Sequence, residues 1–434
     1  MITSVPVIIT VYLGILFTML AAGMWIGVGV GGVGLAGMGF LLKGSGLHLF
    51  AQIVYNQLHS FILTALPLFV FLGEILLRTG IGGRLYTALT GLFERIPGGL
   101  LHVNVASSAM LAAACGSSMA TAATITTVAI PELEQRGYKK RWSLSSLAVS
   151  GSLGIMIPPS IPLIVYGFLT ETSVVRLFTA GVVPGLLLAF SFSLLIFIQA
   201  LRNPESIGGT RVKVPLNEVI KNLAGVVPVV ILIVIVLGSI YGGIATPTES
   251  AGLGCVGALI VAALYRKLTW RSLVDSLKET AVLMGMVGFI IIGALAMSFS
   301  ISHLGVGNRI MDFVGSLSIH PIAVMFILYT IYIILGCVMD ALALLLVIVP
   351  IAFPIAIGLG FDPVWFGIAV VIGQEMACIT PPIGVNLWVV QGITGETMER
   401  ITVWILPFFM ILLAFLVVIT FFPQIATWLP NLIL

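Results

Sequence analysis

Apolar residues in this chain run in long blocks instead of alternating in twos or returning every third and fourth position between polar ones. Blocks near the ~20 residues needed to cross a bilayer as helix recur from end to end. They lie at about 5–22, 26–42, 60–77, 145–170 and 177–200 in the first half, and at about 225–241, 246–265, 281–300, 364–392 and 401–422 in the second. Two further blocks, 101–133 and 321–357, are interrupted in the middle by Gly116-Ser117-Ser118 and by Met339-Asp340. Each of their arms is about 16 residues, short for a crossing, so both are read as re-entrant hairpins that return to the face they came from. The block at 5–22 has no basic segment before it and no cleavage pattern after it, and is expected to be a retained span.

The two halves match each other at a nearly constant offset. Gly29, Gly31 and Gly34 correspond to Gly252, Gly254 and Gly257, Pro131 to Pro354, and Pro158-Pro159 to Pro381-Pro382, all 223 residues apart. Val5-Pro6-Val7 recurs as Val227-Pro228-Val229, and Gly167 and Glu171-Thr172 return as Gly392 and Glu396-Thr397 at an offset of 225. The expected organisation is a duplication: a first repeat over 1–223, with a hairpin at about 101–133 and a broken helix at about 145–170, and a second over 224–434, with a hairpin at about 321–357 and a broken helix at about 364–392.

Charge orients this pattern. With hairpins not crossing, each repeat has five spans, so the second is inverted relative to the first. Sixteen of the nineteen basic residues then fall in segments on one side, the cytoplasmic side by the positive-inside rule, and only Lys43, Arg176 and Arg309 fall outside them. The segment 134–144 holds Arg136, Lys139, Lys140 and Arg141, whereas its counterpart 357–364 has Asp362 and no base. The amino terminus is accordingly expected outside, in the periplasm of a bacterial cell. Composition agrees: 59% of the 434 residues are hydrophobic and 8% charged, against roughly 25% in soluble proteins, and a net charge of +3 implies no nucleic-acid partner. Cys115, Cys255, Cys337 and Cys378 stand singly and the five histidines form no cluster, so no zinc site or disulfide framework is indicated.

The chemistry concentrates at the proline pairs. Two consecutive prolines inside a span must unwind it, and unwound backbone at membrane depth is tolerated only where it lines a cavity or is buried in protein. Such a break exposes carbonyls that suit a hard cation and helix-start amides that suit a carboxylate. Ser117 and Asp340, equivalent by the 223-residue offset, each precede their proline pair by 41 residues, which makes them candidate cation ligands at the hairpin tips. Asp340 also stands where it would cap the second arm of its hairpin, a role compatible with ligation. Glu74, one turn before Arg78, reads as a helix-end ion pair, and Glu249, after Thr246-Pro247-Thr248, as a helix-start acid. Glu375 admits either a structural or an ionic role.

At these motifs the chain resembles the large membrane subunit of tripartite ATP-independent periplasmic (TRAP) transporters. The matching stretches are Leu66-Pro67-Leu68-Phe69, Gly80-Ile81-Gly82, Pro97-Gly98-Gly99-Leu100, Gly116-Ser117-Ser118 through Thr121-Ala122-Ala123, Ile157-Pro158-Pro159-Ser160-Ile161-Pro162, Thr246-Pro247-Thr248-Glu249, Met339-Asp340 and Thr380-Pro381-Pro382-Ile383-Gly384-Val385-Asn386. The resemblance implies an elevator-type secondary transporter, not an enzyme, with no cofactor beyond Na⁺ as coupling ion. It implies import of an organic acid anion, such as a C4-dicarboxylate, sialic acid or sulfonate, across the bacterial inner membrane. Its partners would be a small four-helix membrane subunit and a periplasmic substrate-binding protein. By motif position one Na⁺ belongs with Gly116, Ser117, Ile157 and Pro158, and another with Asp340, Thr380, Pro381 and Ile383. Substrate belongs near Ser118, Ser160 and Asn386. Broken helices and a midplane Asp are also compatible with a proton-coupled carrier or exporter, or with a channel for small organic anions. An intramembrane enzyme is disfavoured, because Ser117 has no His or Lys nearby to act as base and no HExxH pattern occurs.

Overall fold

The computed structural model describes residues 14–15, 18–19, 22–41, 45–210, 215–303, 305 and 319–434, and every regular element among them is helical. Most of the block at 5–22, with Val5-Pro6-Val7, and the bases Lys43, Arg211, Lys213 and Arg309 lie outside the described residues.

Helix α1 (Ile26–Ala36) continues into a π-helical turn at Gly37–Leu41, and α2 (Ser45–Leu58), α3 (Phe61–Thr79) and α4 (Ile81–Phe93) follow. α5 (Leu100–Cys115) and α6 (Ser118–Gln135) pack on each other as the arms of the first hairpin. α7 (Lys140–Met156) and α8 (Ile161–Thr170) are the halves of the first broken helix, and α9 (Val174–Arg202) leads into the short α10 (Pro204–Ile207). The second half opens with α11 (Leu216–Leu223), α12 (Val227–Tyr241), α13 (Pro247–Leu264) and α14 (Trp270–His303). Its hairpin arms are α15 (Pro321–Gly336) and α16 (Ala341–Gly358), and its broken helix is α17 (Pro363–Cys378) and α18 (Val385–Thr394). α19 (Met398–Phe421) and α20 (Gln424–Ile433) complete the chain.

This is a multi-pass membrane protein. Among the described residues, seven helices are long and apolar enough to cross a bilayer, or eight when the pair Asn217–Leu223 and Val227–Tyr241, bent by 41°, counts as one. Burial separates centre from rim: 89% of the apolar window in Lys140–Thr170 is inside the protein, against 33% in α9 and in α19. The outer helices instead expose Leu186, Phe190, Leu201, Val403 and Leu406, the surface that a hydrocarbon environment accepts.

Five helices differ from the expectation drawn from apolar blocks. α2, α4, α11, α20 and the short α10 occupy segments read as connections, because polar positions interrupt their apolar run. In α4, for example, Ile81, Leu85, Ala88 and Leu89 are buried while Arg84 and Thr87 face out. α14 is also far longer than 281–300, since its first turns carry Arg271, Asp275 and Lys278 beyond the apolar block. Where α1 meets α14 the helices touch through small residues; a Cβ on Gly34 would lie 2.5 Å from the main chain of Ala296.

Candidate functional site

Each proline pair sits where a helix has to stop. Prolines at 158 and 159 remove the amides that the carbonyls of Gly154 and Ile155 would otherwise receive, and those at 381 and 382 do the same to Ala377 and Cys378. Ile157 accordingly leaves the helix with extended backbone (φ −75°, ψ 122°), and both Pro-Pro bonds are cis. Ser160 closes this break locally: its Oγ donates to the Ile155 carbonyl and accepts the Leu163 amide at 3.4 Å, capping α8. In the second break Thr380 Oγ1 donates to the Met376 carbonyl at 2.6 Å, and α18 begins at Gly384 without a side-chain cap. The Leu387 amide turns back to the Gly384 carbonyl at 2.7 Å, so only the amides of Val385 and Asn386 remain as donors for an anion at this start.

The hairpin tips reach these breaks. α5 ends on Gly116 in the left-handed region (φ +66°), and a Cβ added there would overlap the carbonyl oxygen of Pro159. Only glycine meets both demands at once. Ser117 is extended and caps α6, its Oγ accepting the Ala120 amide at 3.4 Å. A Cβ on Gly154 would lie 2.7 Å from the Ser117 carbonyl, so tip and break run main chain against main chain. In the second half Asp340 caps α16, Oδ2 accepting the Leu342 amide at 3.1 Å. There the join is the Ile383 amide donating to the Cys337 carbonyl at 3.2 Å, beside a close approach of Gly336 to Ala377.

At the site, a set of side-chain contacts crosses between the halves. Ser118 Oγ donates to Asn386 Oδ1 at 3.3 Å and lies 3.8 Å from Cys378 Sγ, while Asn386 Nδ2 donates to the Ala148 carbonyl at 3.2 Å. Ser118 and Asn386 are both buried. Of the three residues assigned to substrate, the structure therefore brings Ser118 and Asn386 together and places Ser160 within its own break. Of those assigned to cations, Gly116 and Ser117 meet the first break through Pro159 and Gly154, and the second break meets its hairpin through Ile383.

Several participants were not assigned from sequence. Gly154, Pro159, Cys337 and Ala148 take part through the main chain, which carries no signature of residue type. Pro159 belongs to the proline pair itself, and Gly154 left a trace as the glycine four residues ahead of it.

The wall behind the site is polar yet satisfied. α7 buries Ser143, Ser145, Ser146, Ser150 and Ser152, whose hydroxyls each donate back to a carbonyl three or four residues earlier. Ser146 also accepts from Asn104 Nδ2 at 2.9 Å, and Asn104 Oδ1 accepts from Tyr86 at 3.0 Å, tying α7 to α5 and α4. Glu74 pairs with Arg78 at 3.5 Å, and Glu249 forms a capping box with Thr246, as expected for both. Glu375 is the exception: it is fully buried in α17 and, among the described residues, neither carboxylate oxygen has a hydrogen-bond partner, nor has either polar atom of Gln374 beside it. A membrane-embedded acid without a partner is a functional candidate on that ground.

Comparison with known proteins places this arrangement. The chain matches the family model described as tripartite ATP-independent periplasmic transporter, DctM component, over residues 13–425. The C4-dicarboxylate TRAP transporter large permease protein of Pseudomonas aeruginosa is 34% identical over 380 residues, 87% of this chain and 88% of that one. The sialic acid TRAP transporter large permease protein of Vibrio cholerae is 29% identical over 424 residues, 98% of this chain and 97% of the relative. Among solved structures, the Alcanivorax borkumensis YdaH transporter superposes with a TM-score of 0.60 at 15% identity, covering 88% of this chain and 89% of its own. Neisseria gonorrhoeae MtrF gives 0.57 at 13% identity over 88% and 85%. These two likenesses concern the fold alone.

Proposed function

Since the chain belongs to the DctM component family of tripartite ATP-independent periplasmic transporters, we propose that it imports an organic acid anion across the bacterial inner membrane on a Na⁺ gradient. A periplasmic binding protein would deliver the substrate, and a small four-helix subunit would complete the membrane part. The substrate class is a carboxylate or sulfonate of the kind named for the relatives: C4-dicarboxylate, sialic acid and isethionate.

The observation that carries this reading is the pairing of each cis proline break with a hairpin tip, with Ser118 and Asn386 in contact between them. Main-chain oxygens crowd the first junction, which suits a hard cation, and the uncapped start of α18 suits a carboxylate. One Na⁺ is assigned to Gly116, Ser117, Ile157 and Pro158, a second to Asp340, Thr380, Pro381 and Ile383, and the anion to Ser118 and Asn386. The tips and broken helices would move together as an elevator between inverted repeats. Contacts between connecting segments support the assumed sidedness. Lys140 lies 4.0 Å from Glu396, Arg78 lies 3.9 Å from Asp275, and Tyr138 bridges to Gly208, each pair within segments assigned to the cytoplasm.

Uptake of radiolabelled dicarboxylate or sialic acid into proteoliposomes, with the binding protein and small subunit present, should require an inward Na⁺ gradient. Uptake unchanged when K⁺ replaces Na⁺ would sink the reading. A proton-coupled carrier is the second reading, favoured by the partnerless Glu375; uptake driven by a pH gradient in Na⁺-free buffer would select it.

A further inference from the structure

A second site is written into the base of the first hairpin, away from its tip, where the chain passes from α6 into α7. Four cations gather there at 136–141, and two of them are already neutralised. Arg136 is held by Glu94 and Glu132, and Lys140 faces Glu396, which also takes Arg400 at 3.1 Å. Lys139 and Arg141 form no ion pair among the described residues, and Glu205 on α10 forms none either. Both unpaired cations line one cavity of about 490 Å³, together with Asn203. Gln199 and Ser206 also line it, and its apolar lining is Trp142, Leu195 and Pro407, contributed by α7, α9 and α19.

Among the described residues no acid lines this cavity, so neither positive charge has a counter-ion there. A free anion would satisfy the cations alone and leave the apolar lining wet. Next to the cavity, α9 and α19 expose Leu194, Ile198, Leu201, Val403, Leu406 and Met410, a surface for hydrocarbon on both flanks. Two cations, an indole and flanking apolar helix surface together offer partners for a headgroup, the interface and acyl chains. The geometry points to an anionic phospholipid bound here, its phosphodiester between Lys139 and Arg141 and its chains along α9 and α19. The site joins α7, the first half of the broken helix, to two outer helices, and does not depend on which substrate the protein carries.

The test is a titration of the full-length permease, purified in neutral detergent, followed by native mass spectrometry. Phosphatidylglycerol should bind saturably, and K139Q/R141Q should weaken it roughly thirtyfold, at about 1 kcal/mol per lost cation. Phosphatidylcholine and inorganic phosphate should not compete. Equal binding by the double variant overturns the proposal, as does competition by phosphatidylcholine. Competition by inorganic phosphate at matched concentration also overturns it, by showing a free-anion site. If the double variant does not fold, a photoactivatable phosphatidylglycerol decides on the unaltered protein. Its label should map to Lys139–Trp142 and to residues 195–203, and labelling confined to other segments overturns the assignment.

Discussion

Gly116 carries two constraints that no other residue meets together. Its φ of +66° costs an L-residue about 1–3 kcal/mol, and its missing side chain lets the Pro159 carbonyl approach. Gly137 separates the two effects, having φ +75° with nothing within 4 Å of an added Cβ. Gly116→Ala should therefore cut substrate uptake at least tenfold, while Gly137→Ala should lose only the backbone cost, about 1 kcal/mol in stability, with uptake retained. Comparable uptake by the two variants in proteoliposomes would show that the close approach at Gly116 is incidental. The contact between Ser118 and Asn386 belongs to the same scale. Both side chains were recognisable as polar residues at special places in the sequence, but nothing there announced that Asn386 spends its amide on the Ala148 carbonyl.

At the scale of elements, the hairpin stands on an ionic foot. Arg136 follows α6 and reaches both Glu132 on its own helix and Glu94 at the end of α4, and Glu94 is nearly sealed from solvent at 5% exposure. Removing the cation leaves that buried carboxylate uncompensated, a loss of about 3–5 kcal/mol. Arg136→Ala should lower the melting temperature in detergent by several degrees, and Glu94→Ala added to it should recover most of the loss. A double variant no more stable than Arg136→Ala would mean that the pair contributes nothing specific. None of this was visible from apolar blocks, which see a helix only where it is apolar all round. They marked the buried and lipid-facing helices, the two interrupted hairpins and the proline breaks. They missed α2, α4, α11 and α20, where polar positions divide the apolar run, and the early turns of α14 that extend past the apolar block. Pairings such as Ile383 with Cys337 were equally hidden, because amides and carbonyls occur at almost every position.

For the whole molecule, burial and sequence distance combine in one consequence. Asn386 sits at a position reached only after most of the chain is made, yet it hydrogen-bonds Ser118 and the Ala148 carbonyl, 268 and 238 residues earlier. Tyr166 likewise donates to the Pro363 carbonyl at 2.6 Å. The core is thus assembled by both halves and finished by neither. Such a molecule ought to tolerate being made in two pieces. If the chain is cut between Thr210 and Pro215 and the fragments are co-expressed, they should co-purify and restore uptake, whereas each fragment alone should be degraded or inert. Recovery of function from either fragment by itself would contradict this. Complementation would make the Ser118–Asn386 bond the seal of a partnership between two polypeptides.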